Sequence, residues 1–230
     1  MTSLYFIINV ASFSIPFLYS FEKRMNYIQY WKSVFLAIVI VAIPFLIWDV
    51  WFTNMGVWGF NSTYLLGPTI ANLPFEEILF FFCIPYASIF THYALLHFFP
   101  QLGLPKKVTK GITILLFLIA IVIIIFNYDK WYTFVNFSFF AALLLYSLVA
   151  KDTNLNSFFI TFLVILIPFF IVNGLLTGSF IEEQVVWYND AENLGFRIGT
   201  VPIEDAFYAF GMLYTAIILI EKFKPRFKKK

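Results

Sequence analysis

Long apolar runs, each closed by a short polar break, follow one another along almost the whole chain. Crossing a hydrocarbon core about 30 Å thick takes roughly 20 apolar helical residues. A hydropathy window on that scale predicts seven helices, over 4–21, 32–52, 75–98, 111–126, 131–150, 155–177 and 203–220. The first run is expected to be a membrane helix and not a cleavable signal. Its positive charges follow the apolar stretch instead of preceding it, and no small-residue cleavage site ends it. The expected class is an all-α integral membrane protein with seven transmembrane helices.

Composition agrees. Of the 230 residues, 61% are apolar and 12% charged, with a mean hydropathy of +0.85, against about 25% charge in a soluble domain. The net charge of +2 says less than its placement. Alternate loops and the tail hold 13 of the 15 Lys and Arg: Lys23, Arg24, Lys32, Lys106, Lys107, Lys110, Lys151, Lys222, Lys224, Arg226, Lys228, Lys229 and Lys230. The opposite loops hold Lys130 and Arg197. The positive-inside rule then expects the N-terminus outside and the C-terminus in the cytoplasm, in a membrane of the bacterial inner type. The terminal lysines serve that orientation or, alternatively, bind anionic lipid. A single cysteine, Cys83, offers neither a disulfide framework nor a metal pattern, and no metal site is expected. The 32 Phe residues either face lipid or line a π-rich cavity.

The chain repeats itself. Pro44-Phe45-Leu46-Ile47-Trp48-Asp49 matches Pro168-Phe169-Phe170-Ile171-Val172-Asn173 at an offset of 124. Pro74-Phe75-Glu76-Glu77 matches Pro202-Ile203-Glu204-Asp205 at an offset of 128. Helices one to three therefore correspond to helices five to seven. Three spans leave the chain on the wrong side to repeat in the same orientation, and one extra span corrects that. The expected organisation is two parallel three-helix repeats, 1–104 and 129–230, joined by a linker helix in 105–128. Parallel repeats put both acidic motifs on one side of the bilayer, at similar depth.

Acids at the mouth of a membrane span are costly and point to function. Glu76, Glu77, Glu204 and Asp205 follow a Pro that suits a helix start, so they could simply match the helix dipole in its first turn. Burial among Phe75, Phe80, Phe81 and Phe82 argues for chemistry instead: adjacent carboxyls in apolar surroundings tend to share one proton, which such a pair can give and take back. Glu76 and Glu204, the first acid of each pair, are expected to be essential. Asp49 and Asn173, equivalent in the repeat, either finish a helix end or orient a motif acid. Arg197 is expected to pair with a carboxylate: Asp205, Glu204, Glu182 or Glu183. Trp58, Phe60, Tyr64, Trp187, Tyr188 and Phe196 fill the two outer loops, either as interfacial aromatics or, with Phe80 and Tyr208, as a wall that holds a cation against π faces. His92 and His97 are expected to be interfacial or packing residues and not catalytic ones, since His92 lies about 24 Å from Glu76 along the helix.

Several chemistries are missing from the sequence. There is no Gly-x-Gly-x-x-Gly fingerprint and no Gly-x-x-x-x-Gly-Lys loop. No Asp-rich diphosphate motif and no His-rich di-iron cluster occur, and 203–220 holds no lysine for a retinal Schiff base.

The spaced set Trp58-Gly59-Phe60-Asn61, Tyr64, Gly67, Leu73-Pro74-Phe75-Glu76-Glu77-Ile78-Leu79-Phe80-Phe81, then Asn173-Gly174-Leu175-Leu176-Thr177, Trp187-Tyr188, Gly195-Phe196-Arg197 and Pro202-Ile203-Glu204-Asp205-Ala206-Phe207-Tyr208 resembles the lycopene cyclase domain proteins of carotenoid synthesis. These are small membrane cyclases found as two subunits or as a tandem fusion. The resemblance covers both halves and implies the tandem form, acting on lycopene without a flavin domain. It implies an intramolecular lyase or isomerase with no cofactor. Lycopene and γ-carotene would be bilayer-dissolved substrates, other carotenoid enzymes would be membrane neighbours, and nucleic acid would have no part.

The residues suit that chemistry. Ring closure needs an acid near carbon 2 of the polyene end, a base for the proton on carbon 6, surfaces that tolerate a cation, and no competing water. The expected reaction is the conversion of lycopene ends to β-rings. A proton-coupled transporter or binder, or an isoprenoid cyclase making another ring type, stays open on sequence alone.

Overall fold

The structure is a computed structural model that describes residues 3–227. Its helices are α1 (Leu4–Tyr19), α2 (Trp31–Met55), α3 (Phe75–Phe98), α4 (Lys106–Phe126), α5 (Trp131–Ala150), α6 (Asn154–Leu176) and α7 (Ile203–Phe227). Among the described residues six of them are long and apolar enough to cross a membrane. The exception is α1, whose 16 residues span about 24 Å. It stops where the Ser20 hydroxyl turns back to the Pro16 carbonyl and meets the Tyr86 hydroxyl at 2.6 Å. Lys228, Lys229 and Lys230, assigned to orientation by the sequence, lie outside the described residues.

Helix α1 packs on α3, α5 on α7, α2 on α7 and α3, and α6 on α3 and α7. Each contact of the first half has a counterpart in the second. Helix α4 packs chiefly on α5 and buries little beyond Thr109, Thr113 and Ala120. Helix association in lipid depends on close packing more than on apolar burial. The α2–α7 pair fits this, with Ala37 and Ala42 buried on one helix and Ala209 and Ala216 on the other. The Phe residues divide between lipid and interior, with Phe45, Phe81, Phe137, Phe140, Phe158 and Phe210 in the core.

Short strands sit between helices at one end of the bundle: β1 (Trp58–Phe60), β2 (Thr69–Ile70), β3 (Leu73–Pro74), β4 (Val186–Tyr188), β5 (Arg197–Ile198) and β6 (Val201–Pro202). β2–β3 and β5–β6 are tight hairpins leading into α3 and α7. β1 and β4 come from different halves and pair antiparallel, with Gly59 opposite Trp187. Beyond the ribbon, Asn61 N–H donates to the Val185 carbonyl and Asn189 N–H to the Val57 carbonyl, at 2.9 and 2.8 Å. Those two bonds exchange under the 128-residue offset, so the ribbon crosses an approximate twofold axis between the halves.

Candidate functional site: three carboxyls in an aromatic cavity

The first turns of α3 and α7 each hold two acids, and within each pair the two side chains part company. Successive helical residues point about 100° apart, so one acid of a pair meets the outer loop and the other meets the bundle axis. The Glu76 Oε1 accepts the Leu66 N–H at 2.5 Å, and the Asn9 amide donates to the Glu76 carbonyl at 2.8 Å. In the second half the Glu204 Oε1 accepts the Leu194 N–H and the Thr133 hydroxyl, both at 2.7 Å, and Asn136 donates to the Glu204 carbonyl at 2.6 Å. These acids, both fully buried, tie a helix start to the loop ten residues upstream. Both acids of α3 lie in its first turn, where the helix dipole favours an anion, and no side chain caps that end.

Glu77 and Asp205 turn the other way. With Asp49 they line a cavity of about 60 Å³ on the axis between the halves. Tyr5 donates its hydroxyl to Glu77 Oε2 and Tyr132 donates to Asp205 Oδ1, both at 2.5 Å. Tyr188 donates to Asp205 Oδ2 at 3.0 Å. Asp205 therefore accepts a phenol at each oxygen, while Oε1 of Glu77 receives no hydrogen bond. Asp49 accepts the Trp58 indole N–H at 2.5 Å and the Thr53 hydroxyl at 3.4 Å, both at Oδ1. Its Oδ2 is buried without a partner.

Aromatic rings close the cavity. Trp58, Phe60 and Tyr188 come from the ribbon, Phe80 and Phe81 from α3, Phe169 from α6, and Tyr208 from α7. Tyr132 and Tyr188 stack with centroids 5.9 Å apart, and Trp58 meets Tyr132 edge-on at 5.1 Å. π faces on several sides are the surroundings in which a carbocation is stabilised without being captured by a nucleophile. Burial, followed by the nearby negative charge of Asp205, pushes the Tyr188 phenol well above the ordinary tyrosine value, so it stays a neutral donor.

The sequence-predicted residues fall into three groups. Glu77, Asp205, Asp49, Asn173, Trp58, Phe60, Phe80, Tyr188 and Tyr208 all line the cavity. Glu76 and Glu204 lie behind it, anchoring loops. Arg197, Trp187 and Tyr64 stand elsewhere. Arg197 pairs with Asp190 at 2.5 Å and donates to the Thr200 carbonyl at 2.7 Å. The expected partners Asp205 and Glu204 already hold other donors, Glu183 accepts from Asn61 at 2.8 Å, and Glu182 is not its partner. The β5–β6 hairpin folds the arginine back over the turn that holds Asp190. Trp187 faces outward because strand residues alternate: its neighbours Val186 and Tyr188 take the inward positions. Tyr64 packs in the α1 cluster, where its hydroxyl accepts the Glu183 N–H at 3.3 Å. No hydrogen bond joins Asp49 or Asn173 to a motif acid: Asp49 accepts from Trp58 and Thr53, and the Asn173 amide donates back to the Phe169 carbonyl at 3.0 Å. His92 packs as expected, 2.7 Å from the Thr161 hydroxyl.

Sequence reasoning missed Tyr5, Tyr132, Asn9 and Asn136. A signal was present: Tyr and Asn recur four residues apart, on one helical face, at an offset of 127 in both halves.

The lycopene cyclase family model matches residues 2–95 and 129–223, leaving aside the stretch that contains α4. No curated protein and no solved structure matches the chain. With both acid-bearing halves inside the matched stretches and the cavity formed between them, the chain belongs to the lycopene cyclase family, enzymes that act on carotenoids.

Proposed function

We propose that the chain is a lycopene β-cyclase of the tandem type, with repeats in 1–104 and 129–230 joined by 105–128. The supporting observation is the convergence of Glu77, Asp205 and Asp49 on one aromatic cavity beneath the β1–β4 ribbon. The reaction needs no net oxidation or reduction. Glu77, with Oε1 free of protein donors, delivers a proton to carbon 2 of the polyene end, leaving a tertiary cation at carbon 1. The neighbouring double bond attacks carbon 1 and moves the cation to carbon 5. Asp205 then takes the proton from carbon 6. Two phenol donors stabilise its anionic form, as hydrogen bonding to a carboxylate does in general. Asp49, anchored by the Trp58 indole, stands as a third carboxyl beside the reacting end. Glu76 and Glu204 hold the two loops over the reaction. γ-Carotene, cyclised at one end, is the expected intermediate, and both substrates reach the site from the bilayer. The basic loops expect the ribbon end outside and the C-terminus in the cytoplasm.

The test is expression in bacteria that accumulate red lycopene, followed by pigment analysis. Wild type is expected to yield β-carotene. Glu77→Gln and Asp205→Asn are each expected to leave lycopene. Undiminished cyclisation by both variants, at wild-type protein level, would remove these acids from the mechanism.

A further inference from the structure

A cavity of about 60 Å³ is far too small for a long polyene. On the cyclase reading, on which this inference rests, the remainder of the substrate must leave sideways between helices, toward the bilayer in which it is dissolved. The approximate twofold axis offers two related ways out, one between α1, α3 and α6, the other between α5, α7 and α2. They differ sharply.

The first holds a gap of about 260 Å³ edged by small side chains, Ala11 and Ser12 on α1 and Ala87 and Ser88 on α3. Phe169 lines both this gap and the carboxyl cavity. In the second half Ser12 is replaced by Phe139, at the 127-residue offset of the Tyr and Asn pairs. Phe139 presses so closely on Gly211 that an added Cβ there would come within 2.7 Å of its ring. Its centroid is 5.6 Å from that of Phe45, the counterpart of Phe169, and Phe45 is 4.9 Å from Tyr208. This way is plugged. The larger void between α4, α6 and α7 shares no lining residue with the carboxyl cavity.

We infer that the uncyclised arm of the polyene lies in the α1–α3–α6 gap, with Phe169 as the gate, and that substrate enters and leaves by this side alone. A one-sided passage also means that a substrate with two ends must withdraw and reverse before its second end can react.

The experiment grafts the plug onto the open side. Ser12→Phe and, across the gap, Ala87→Leu are compared with Leu163→Phe, which places a ring at the exposed rim of the α4–α6–α7 void. Two readouts are taken in the lycopene-accumulating host: cyclised pigment per unit of membrane protein, and lycopene or its products retained on the purified protein. Both plugging variants are expected to fall roughly tenfold or more in each readout while melting like wild type, and Leu163→Phe is expected to change neither. Should Ser12→Phe fail to fold, Ala87→Leu decides. Plugged variants that fold, retain polyene and cyclise like wild type would overturn the passage. A wild type that retains polyene without cyclising it, while the plugged variants do not retain it, would sink the cyclase reading and leave the passage standing. A wild type that does neither sinks both.

Discussion

Tyr132 donates its phenol hydroxyl to Oδ1 of Asp205 at 2.5 Å, and both groups are almost wholly buried. The bond joins the first turn of α5 to the first turn of α7 and fixes the carboxylate from outside its own helix. If Asp205 is the base that ends the reaction, Asp205→Asn lowers turnover by about 10²–10⁴, the usual worth of a positioned proton-transfer group. Tyr132→Phe removes one donor and leaves the other, costing about 1.4 kcal/mol or tenfold. Initial rates of pigment conversion in isolated membranes give both ratios, and equal losses for the two variants would contradict the division of roles.

Glu76 and Glu204 are expected to matter for folding more than for chemistry. Glu204→Ala strands the Leu194 N–H and the Thr133 hydroxyl, and losing buried partners costs about 1–3 kcal/mol. Glu76→Ala strands the Leu66 N–H. Both are expected to lower the thermal midpoint of the detergent-solubilised protein. Glu204→Gln, which keeps the accepting Oε1, is expected to retain most of its turnover. A folded Glu204→Gln that makes no product would return Glu204 to the reaction itself.

Much of this was legible in the chain. The predicted bounds of α3 and α5 coincide with those observed. The start of α4 was placed late because Lys106, Lys107 and Lys110 lower the window hydropathy, although nothing about them prevents a helix. The end of α7 was placed early because Glu221, Lys222 and Lys224 do the same. The acid motifs stood out because they are duplicated. Which acid of each pair meets the cavity was not legible: both are polar and adjacent, and the rotation of the helix against the outer loop decides it. Tyr5 and Tyr132 were hidden as ordinary aromatics within apolar runs. Trp187 was misplaced because three residues of strand are too few for alternation to be read before the partner strand is known.

The phenol of Tyr188 gives a pH prediction. Burial and then Asp205 raise its folded-state value above the ordinary tyrosine value of about 10. A group raised on folding contributes its stabilisation fully below its unfolded value and loses it as pH climbs through the folded one. The bond from Tyr188 to Asp205 is therefore intact across neutral and mildly alkaline pH. An ultraviolet titration of wild type against Tyr188→Phe isolates its phenolate band, which is expected only above about pH 10. A difference signal with its midpoint at or below that value would show that the ring is not buried against the carboxylate.

Gly59 lies at the crossing of the two halves, opposite Trp187 in the ribbon. A Cβ at position 59 would stand 2.3 Å from Cζ2 of the indole, so the ring rests flat on the glycine. Because Trp187 is 41% exposed, Gly59→Ala is expected to push the indole into the outer medium instead of breaking the ribbon. The cost is expected near 1 kcal/mol, at the low end for overpacking. The readouts are a red-shifted tryptophan emission and a lowered unfolding midpoint. A double-mutant cycle separates the steric cause from any other: once Trp187→Ala is in place, adding Gly59→Ala should cost nothing further, because contacting residues are not additive. If the two losses add instead, the glycine is required for its backbone and not for the ring above it.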